Sequence, residues 1–399
     1  MTKILYITYD GLTDPLGQSQ IIPYLTRLSD LNNSIHIISY EKKNNYLANI
    51  DYTNKLLQDS GIVWHKLWYS SRPPLISTIL NLFTGYKLAR RIYNTHAFSI
   101  VHCRGYVASI IGLRLKNKLG IKYIFDMRGW WPDEKRESGL WNNSIYKIVY
   151  WYFKKLEKIF FSTADYIVSL TFRGKEAIIS LGVSNHNKIG VIPTCVNFNV
   201  FPLSNLRDKH FNRAKIGIRF DENVFLYSGS LGGNYNPSIL LEVFNAYIKV
   251  YATAYLLILS KDPVPPEIFS FFKSNLSNRF SIHSVRYNEV PQFLSSADIG
   301  FIFYNQSFSV IGRSPTKLGE YWASGLPVIS FKGIGDLDTI FEKYNGGGLL
   351  LSNEKDNWAA EIQGFNRAHP NDLRSFSEDF FHLNRGVTFY NQLYEHLLT

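Results

Sequence analysis

Lys317 and Glu320 stand three residues apart in the run Ser314-Pro315-Thr316-Lys317-Leu318-Gly319-Glu320-Tyr321-Trp322-Ala323-Ser324-Gly325-Leu326-Pro327-Val328-Ile329. Ser314 and Thr316 are N-cap candidates and Pro315 restricts the turn, so the spacing predicts a helix whose first turn carries both charged side chains on one face. Unpaired backbone N–H groups at such a helix start attract anions by about 0.3–1 kcal/mol, and by about 2 kcal/mol when partly buried. Lys317 adds a full positive charge. Glu320 would repel the same anion unless it lies one turn further on and accepts hydrogen bonds from sugar hydroxyls. The pair then reads a nucleoside diphosphate, cation to phosphate and carboxylate to ribose. Tyr321, Ala323 and the Gly325-Leu326-Pro327 break read as packing and punctuation before an apolar strand. The alternative is a surface helix that carries one lysine and one glutamate.

Such residues need elements to hold them, and the chain supplies a suitable pattern twice. Short apolar runs at 3–9, 35–40, 62–67, 99–103, 122–126, 166–170 and 188–192 alternate with helical patterns, which predicts a parallel, doubly wound sheet. After a polar stretch at 204–215 the alternation restarts, with strands expected at 224–228, 254–259, 280–284, 299–303 and 327–330. The fold class is therefore α/β with two Rossmann-like domains. Their boundary is expected near residue 200, giving domains over 1–200 and 201–380. A final helix is expected over 381–399, where aromatic residues recur at helical spacing.

Composition limits the function classes. The chain has 399 residues, 45% of them hydrophobic, enough for two cored domains. Two cysteines, Cys103 and Cys195, exclude a disulfide framework and suit a reducing compartment. Neither a signal-peptide pattern at Met1-Thr2-Lys3 nor an apolar run of about 18–20 residues is read, so a cytoplasmic protein, peripheral on the inner face of the cell membrane, is expected. Residues 1–200 carry 25 Lys and Arg against 13 Asp and Glu, whereas 201–399 carry 18 against 19. A basic first half suits an anionic lipid surface or a phosphorylated acceptor. The absence of zinc-finger spacing or RNP-like motifs argues against nucleic acid.

The run 314–329 resembles the donor-nucleotide segment of GT-B glycosyltransferases of the family 4 type, in which Pro-x-Lys-x-x-Glu-Tyr precedes Ala-x-Gly-x-Pro-Val-Ile. Further stretches are similar in order along the chain: 4–20, Phe125-Asp126-Met127-Arg128-Gly129-Trp130-Trp131, 191–196, Tyr227-Ser228-Gly229-Ser230-Leu231-Gly232 and 297–300. The resemblance implies two Rossmann-like domains facing across a cleft, with the last helix crossing back to the first. It implies transfer of a sugar from a nucleoside-diphosphate sugar, with UDP expected, to a glycan or lipid-linked acceptor of surface-polysaccharide type. Retention of anomeric configuration is implied as well. No Asp-x-Asp motif stands out and fixed cations can replace a divalent ion, so no metal or other cofactor is expected. Two alternatives share the fold: a sugar-nucleotide epimerase, and a non-catalytic nucleotide-sugar or polysaccharide binder.

Ligands of open parallel sheets bind beyond the carboxyl ends of the strands, and the remaining candidates fall there. Gly17 and Gln18 lie in the first loop, which lacks the Gly-x-Gly-x-x-Gly of a nicotinamide enzyme and offers backbone amides to a donor phosphate or sugar, or is an ordinary turn. Asp126, Arg128 and Arg104 end neighbouring strands beside His102. They either pair with one another or act on the acceptor, Asp126 orienting its hydroxyl and the arginines holding a phosphate. Trp130 and Trp131 form an acceptor-stacking platform or a packed loop. In the second domain Gly229, Ser230, Leu231, Gly232 and Gly233 form a loop toward the donor. The family's basic residues there are missing, so Arg313 and Arg173 are the substitute cations. Gly312 stands where the first glutamate of the family pair is expected, and Glu320 is the second. Lys317, Arg313 and the amides of 314–316 would stabilise the leaving diphosphate.

Two segments mix apolar and basic residues: 64–93, with Trp68, Tyr69, Ile76, Ile79, Leu80 and Phe83 among Lys66, Arg72, Lys87, Arg90 and Arg91, and 141–161, with Ile145, Ile148 and Tyr152 among lysines. They either rest on anionic lipid or are core-facing stripes with solvated basic faces.

Overall fold

The apolar runs form parallel strands separated by helices. The computed structural model describes residues 1–231, 236–261 and 264–399, and the chain divides into two units. Unit 1 comprises 1–136, 140–195 and 383–399; unit 2 comprises 137–139 and 196–382.

In unit 1 the strands are β1 (Thr2–Thr8), β2 (Asn33–Glu41), β3 (Val63–Trp68), β4 (Ile100–Arg104), β5 (Lys122–Asp126), β6 (Tyr166–Ser169) and β7 (Ile189–Val191), ordered β3-β2-β1-β4-β5-β6-β7. The helices between them are α1 (Pro15–Gln20), α2 (Ile22–Ser29), α3 (Lys43–Asp59), α4 (Ile76–His96), α5 (Gly105–Leu119), α6 (Trp131–Glu137), α7 (Ser144–Thr163) and α8 (Phe172–Ser180). Ile4, Leu5, Tyr6 and Ile7 are all buried, as expected of a central parallel strand covered on both faces. Helices α4 and α7 flank α5 in one layer.

In unit 2, α9 (Leu206–Lys215) leads into β8 (Asn223–Ser228), α10 (Pro237–Val250), β9 (Ala254–Leu259), α11 (Pro266–Leu276), β10 (Phe280–His283), α12 (Val290–Leu294), β11 (Ile299–Phe301), α13 (Thr316–Ala323), β12 (Val328–Phe331), α14 (Leu337–Lys343), β13 (Gly348–Leu351), α15 (Trp358–Gln363) and α16 (Pro370–Phe381). The six strands run in the order β10-β9-β8-β11-β12-β13. Strand β13 has no counterpart among the expected strands, because four residues behind Gly346, Gly347 and Gly348 leave too little pattern to read.

The last helix, α17 (Leu383–His396), belongs to unit 1, where it packs on α2. Leu383, Val387, Tyr390, Leu393 and Tyr394 join Ile4, Tyr6, Tyr24 and Leu25 in one core. Spacings of three and four residues put these α17 side chains on one helical face, so burial rather than intrinsic propensity holds the helix in place.

Candidate active site

In unit 2 the site is built around α13. Glycine at 300 lets the ring of Tyr321 lie against β11, since a Cβ there would meet Tyr321 Cδ2 at 2.3 Å. The Tyr321 hydroxyl accepts a hydrogen bond from Ser228 N, 3.2 Å away at the end of β8. On its other side Gly319 permits contact with Val196 and Phe381, and Ser377 Oγ donates to the Gly319 carbonyl at 2.8 Å. Trp322 is buried, with Nε1 donating to Gly347 O at 2.8 Å. Gly325 ends the segment in the left-handed region, φ 78°, where glycine carries no Cβ penalty. The helix is therefore pinned at three sides, which fixes the direction of its first turn.

That turn begins differently from the sequence expectation. The N-cap is Pro315, φ −66° and ψ 110°, and no side chain caps the helix. Thr316 is the first helical residue and Ser314 lies before the cap, so neither is the cap the sequence suggested. The ammonium of Lys317 lies over the end of β8: a Cβ on Gly229 would come within 2.7 Å of Lys317 Nζ. The absence of a side chain at 229 is what admits the lysine. The ring of Tyr227 stands 5.9 Å from that ammonium, and Tyr227 Oη donates to Ser230 O at 2.7 Å, holding the start of the next loop. Arg313 stacks its guanidinium on Tyr304, 4.7 Å from the ring centroid. Gly232 and Gly233 lie outside the described residues.

Glu320 is buried on the same helix. Burial pushes its pKa up to about 7, against the opposing pull of Lys317 and of a hydrogen bond from Tyr287. Tyr287, just after β10, is a residue that sequence reading missed; a tyrosine 33 positions away gives no local signal of contact. Gly312 is buried in the turn before α13, at the position where the resemblance implies a second carboxylate.

In unit 1 the strand register does the assembling. Tyr6, His102 and Ile124 are partners in one row across β1, β4 and β5, and Thr8, Arg104 and Asp126 in the next. Residues two apart on a strand share a face, so His102, Arg104 and Asp126 converge beneath α17. Asp126 Oδ2 lies 3.6 Å from His102 Nε2 and 3.9 Å from Arg104 Nη1, while Oδ1 lies 3.8 Å from Arg128 Nη1. Helix α17 contributes two hydroxyls: Tyr390 donates to Asp126 Oδ2 at 3.2 Å, and Tyr394 Oη pairs with His102 Nδ1 at 2.7 Å. Arg128 reaches inward from a left-handed backbone, φ 56°, unusual for a non-glycine residue. Burial raises the Asp126 pKa, but Arg128, His102 and Arg104 together outweigh it and leave the carboxyl below its usual range. Burial, reinforced by the arginines, lowers the His102 pKa against the pull of Asp126.

Asp126, Arg104 and Arg128 are enclosed in this cluster. Their side chains are 1%, 5% and 11% exposed, and the cavity among them measures about 10 Å³, room for about one water. An ionised carboxylate between two guanidinium groups is their shared counter-ion, the pairing alternative the sequence left open. Trp130 is 1% exposed and packed edge-on against Phe161 with Lys154 over its ring, the packed-loop alternative. Trp131 packs among Trp141, Phe153 and Tyr106. Arg173 lies in the first turn of α8, in unit 1.

The first loop is fixed from β2. Glu41, fully buried, accepts from Leu12 N at 2.7 Å, Thr13 N at 3.1 Å and Ser39 Oγ at 2.6 Å, and also from Thr13 Oγ1. Gln18 spends its amide on Leu12 O and Thr53 Oγ1, both at 2.8 Å, so its side chain braces the loop. Gly17 is a packing glycine, since a Cβ would fall 2.2 Å from Gly11 O. Nothing in the sequence near Glu41 announces this clamp, because a glutamate closing an apolar strand reads as an exposed end.

Two parallel sheets with polar residues gathered at their carboxyl ends define a two-unit, doubly wound α/β protein. Residues 25–200 match Glycosyltransferase Family 4, and residues 222–365 match Glycosyl transferases group 1. The chain belongs to the GT-B glycosyltransferases of the family 4 type. It is similar in fold to a glycosyltransferase of Rickettsia africae (16% identity, TM-score 0.72), to HepE of Anabaena in complex with UDP and glucose (13%, 0.71) and to sucrose-phosphate synthase of Thermosynechococcus elongatus (15%, 0.70). Each comparison covers 100% of this chain and 99% of the other. None of the curated proteins compared with it matches.

Proposed function

We propose that the protein transfers a hexosyl group from a UDP-sugar to a glycan or lipid-linked acceptor, with retention and without a metal ion. One observation carries the reading: the Lys317 ammonium rests on the bare backbone of Gly229 while Glu320 lies buried in the same helix. A diphosphate seated on the Gly229–Ser230 backbone would meet Lys317, Arg313 and the uncapped amides of Thr316 and Lys317. Its ribose hydroxyls would donate to Glu320. That Anabaena HepE is solved with UDP, with UDP-glucose, and with UDP and glucose supports UDP as the nucleotide.

The chemistry follows from where charge grows. As the bond from the anomeric carbon to the phosphate oxygen lengthens, negative charge collects on the diphosphate and the sugar becomes oxocarbenium-like. Cations fixed in advance stabilise that state more than the ground state, and one such contact is worth about 2.7–4 kcal/mol. Lys317 and Arg313 fill this role, each held by an aromatic ring. In the retaining course the acceptor hydroxyl attacks from the leaving-group side, and the departing phosphate takes its proton.

The acceptor reading extends to an anionic membrane surface on the cytoplasmic side. Gly85 faces inward on α4, where a Cβ would strike Tyr40 and Ile111, whereas Ile76, Ile79, Leu80 and Phe83 are exposed. On α7, Ile145, Ile148, Trp151 and Tyr152 are exposed too. Both helices start near the carboxyl ends of the strands, so the apolar residues share one end of one layer, and Lys87 stands over the Phe83 ring at 4.3 Å. Among the described residues no helix is long and apolar enough to cross a membrane.

A thermal-shift and calorimetric screen of UDP, GDP, dTDP and CMP sugars tests the reading. UDP-sugars are expected to bind, with affinity reduced at least about tenfold in Lys317→Ala and in Glu320→Ala, a loss near 1.4 kcal/mol. Unchanged affinity in both variants would refute the site.

A further inference from the structure

With Asp126 enclosed, the open carboxylate nearest the buried cluster is Asp10. It follows β1, an interior strand of the unit 1 sheet, and its backbone N–H donates to Thr8 Oγ1 at 3.1 Å. Its side chain is 49% exposed, and Oδ2 lies 3.9 Å from Arg104 Nε. Arg104 in turn reaches Asp126, so one guanidinium links the open carboxylate to the closed one. The next residues cannot drift: a Cβ on Gly11 would lie 2.9 Å from Glu41 Oε2, and Glu41 clamps Leu12 and Thr13. A half-exposed carboxylate held beside a guanidinium on a rigid strand end is placed to accept a hydrogen bond from a hydroxyl.

We propose that Asp10 is the acceptor-side catalytic residue: its carboxylate accepts the hydrogen bond of the attacking hydroxyl and aims it, while Arg104 fixes the carboxylate's orientation. Asp126, Arg128, His102, Tyr390 and Tyr394 form the support behind it. The inference rests on the sugar-transfer reading above. Position alone is worth a great deal, since misplacing a nucleophile by about 1 Å costs on the order of 100-fold in rate.

The test compares the full chain with Asp10→Asn, Asp10→Ala and Asp10→Glu. Transfer is measured from the fastest donor in a panel of UDP-, GDP- and dTDP-hexoses to octyl glycosides and to an envelope lipid extract, and UDP affinity by calorimetry. The Asn and Ala variants should keep UDP affinity and donor KM within about twofold and lose about 100-fold in kcat. The Glu variant should recover part of that loss, and the acid limb of the kcat profile should vanish in Asn. A kcat within threefold of wild type in Asn, or UDP affinity lost together with kcat, would overturn the role of Asp10. Failure of the unaltered chain to bind any nucleotide or turn over any donor would overturn the transferase reading and Asp10 with it.

Discussion

In the proposed donor site, Glu320 would couple donor binding to pH. Its carboxyl is held at about 7 by burial, so near neutrality the free protein carries a mixture of protonated and ionised forms. Only the ionised form accepts both ribose hydroxyls, and donor affinity should therefore rise between pH 6 and 8. Calorimetry with UDP-glucose, whose phosphates do not titrate in that range, should show proton release on binding and a flat profile in Glu320→Gln. Stability runs the other way. Folding raises this pKa above its unfolded value of 4.5, so the native state binds the extra proton between these values. The stabilisation is complete below the unfolded value and is lost as pH rises through about 7. Denaturant midpoints should accordingly fall toward pH 8 in the wild type and less so in Glu320→Gln, and equal slopes would contradict the assignment.

At the scale of elements, α13 matters because its neighbours leave it no freedom. Gly319 faces Val196 Cγ2, which a Cβ would approach to 2.5 Å, and Phe381, at 3.0 Å. Gly319→Val overpacks that contact and should cost about 1–3 kcal/mol in urea unfolding. It should also weaken UDP binding, because Lys317 and Glu320 ride on the displaced helix. A variant that loses stability while binding UDP as before would show that the helix orientation does not set the site. Helix α17 performs the equivalent task in unit 1, where Tyr390 and Tyr394 deliver hydroxyls to Asp126 and His102.

For the whole molecule, the proposed lipid interface rests on charge asymmetry and surface chemistry. The first 200 residues hold the entire positive excess, and the exposed apolar residues of α4 and α7 lie in that same region. Co-sedimentation with phosphatidylglycerol vesicles should be strong at low salt and weaken at 0.5 M salt, because the Debye length falls well below its roughly 8 Å at physiological ionic strength. Ile79→Asp combined with Ile148→Asp should abolish it while leaving UDP affinity intact. Equal binding to neutral and anionic vesicles would remove the electrostatic part of the proposal.

Local pattern was sufficient to reveal the alternation of strands and helices, the two-sheet plan and the placement of Lys317 and Glu320 on one helix, because each depends on spacings within a few residues. Burial is a different kind of fact. Which carboxylate is closed and which is open, Asp126 or Asp10, depends on α17 returning from the far end of the chain to cover β4 and β5. The same holds for Glu41 beneath the first loop, Tyr287 on Glu320, and the enclosure of Trp130. Sequence determined which groups stand at strand ends; tertiary structure decided which of them water and substrate can reach, since exposure is set by contacts between segments tens to hundreds of residues apart.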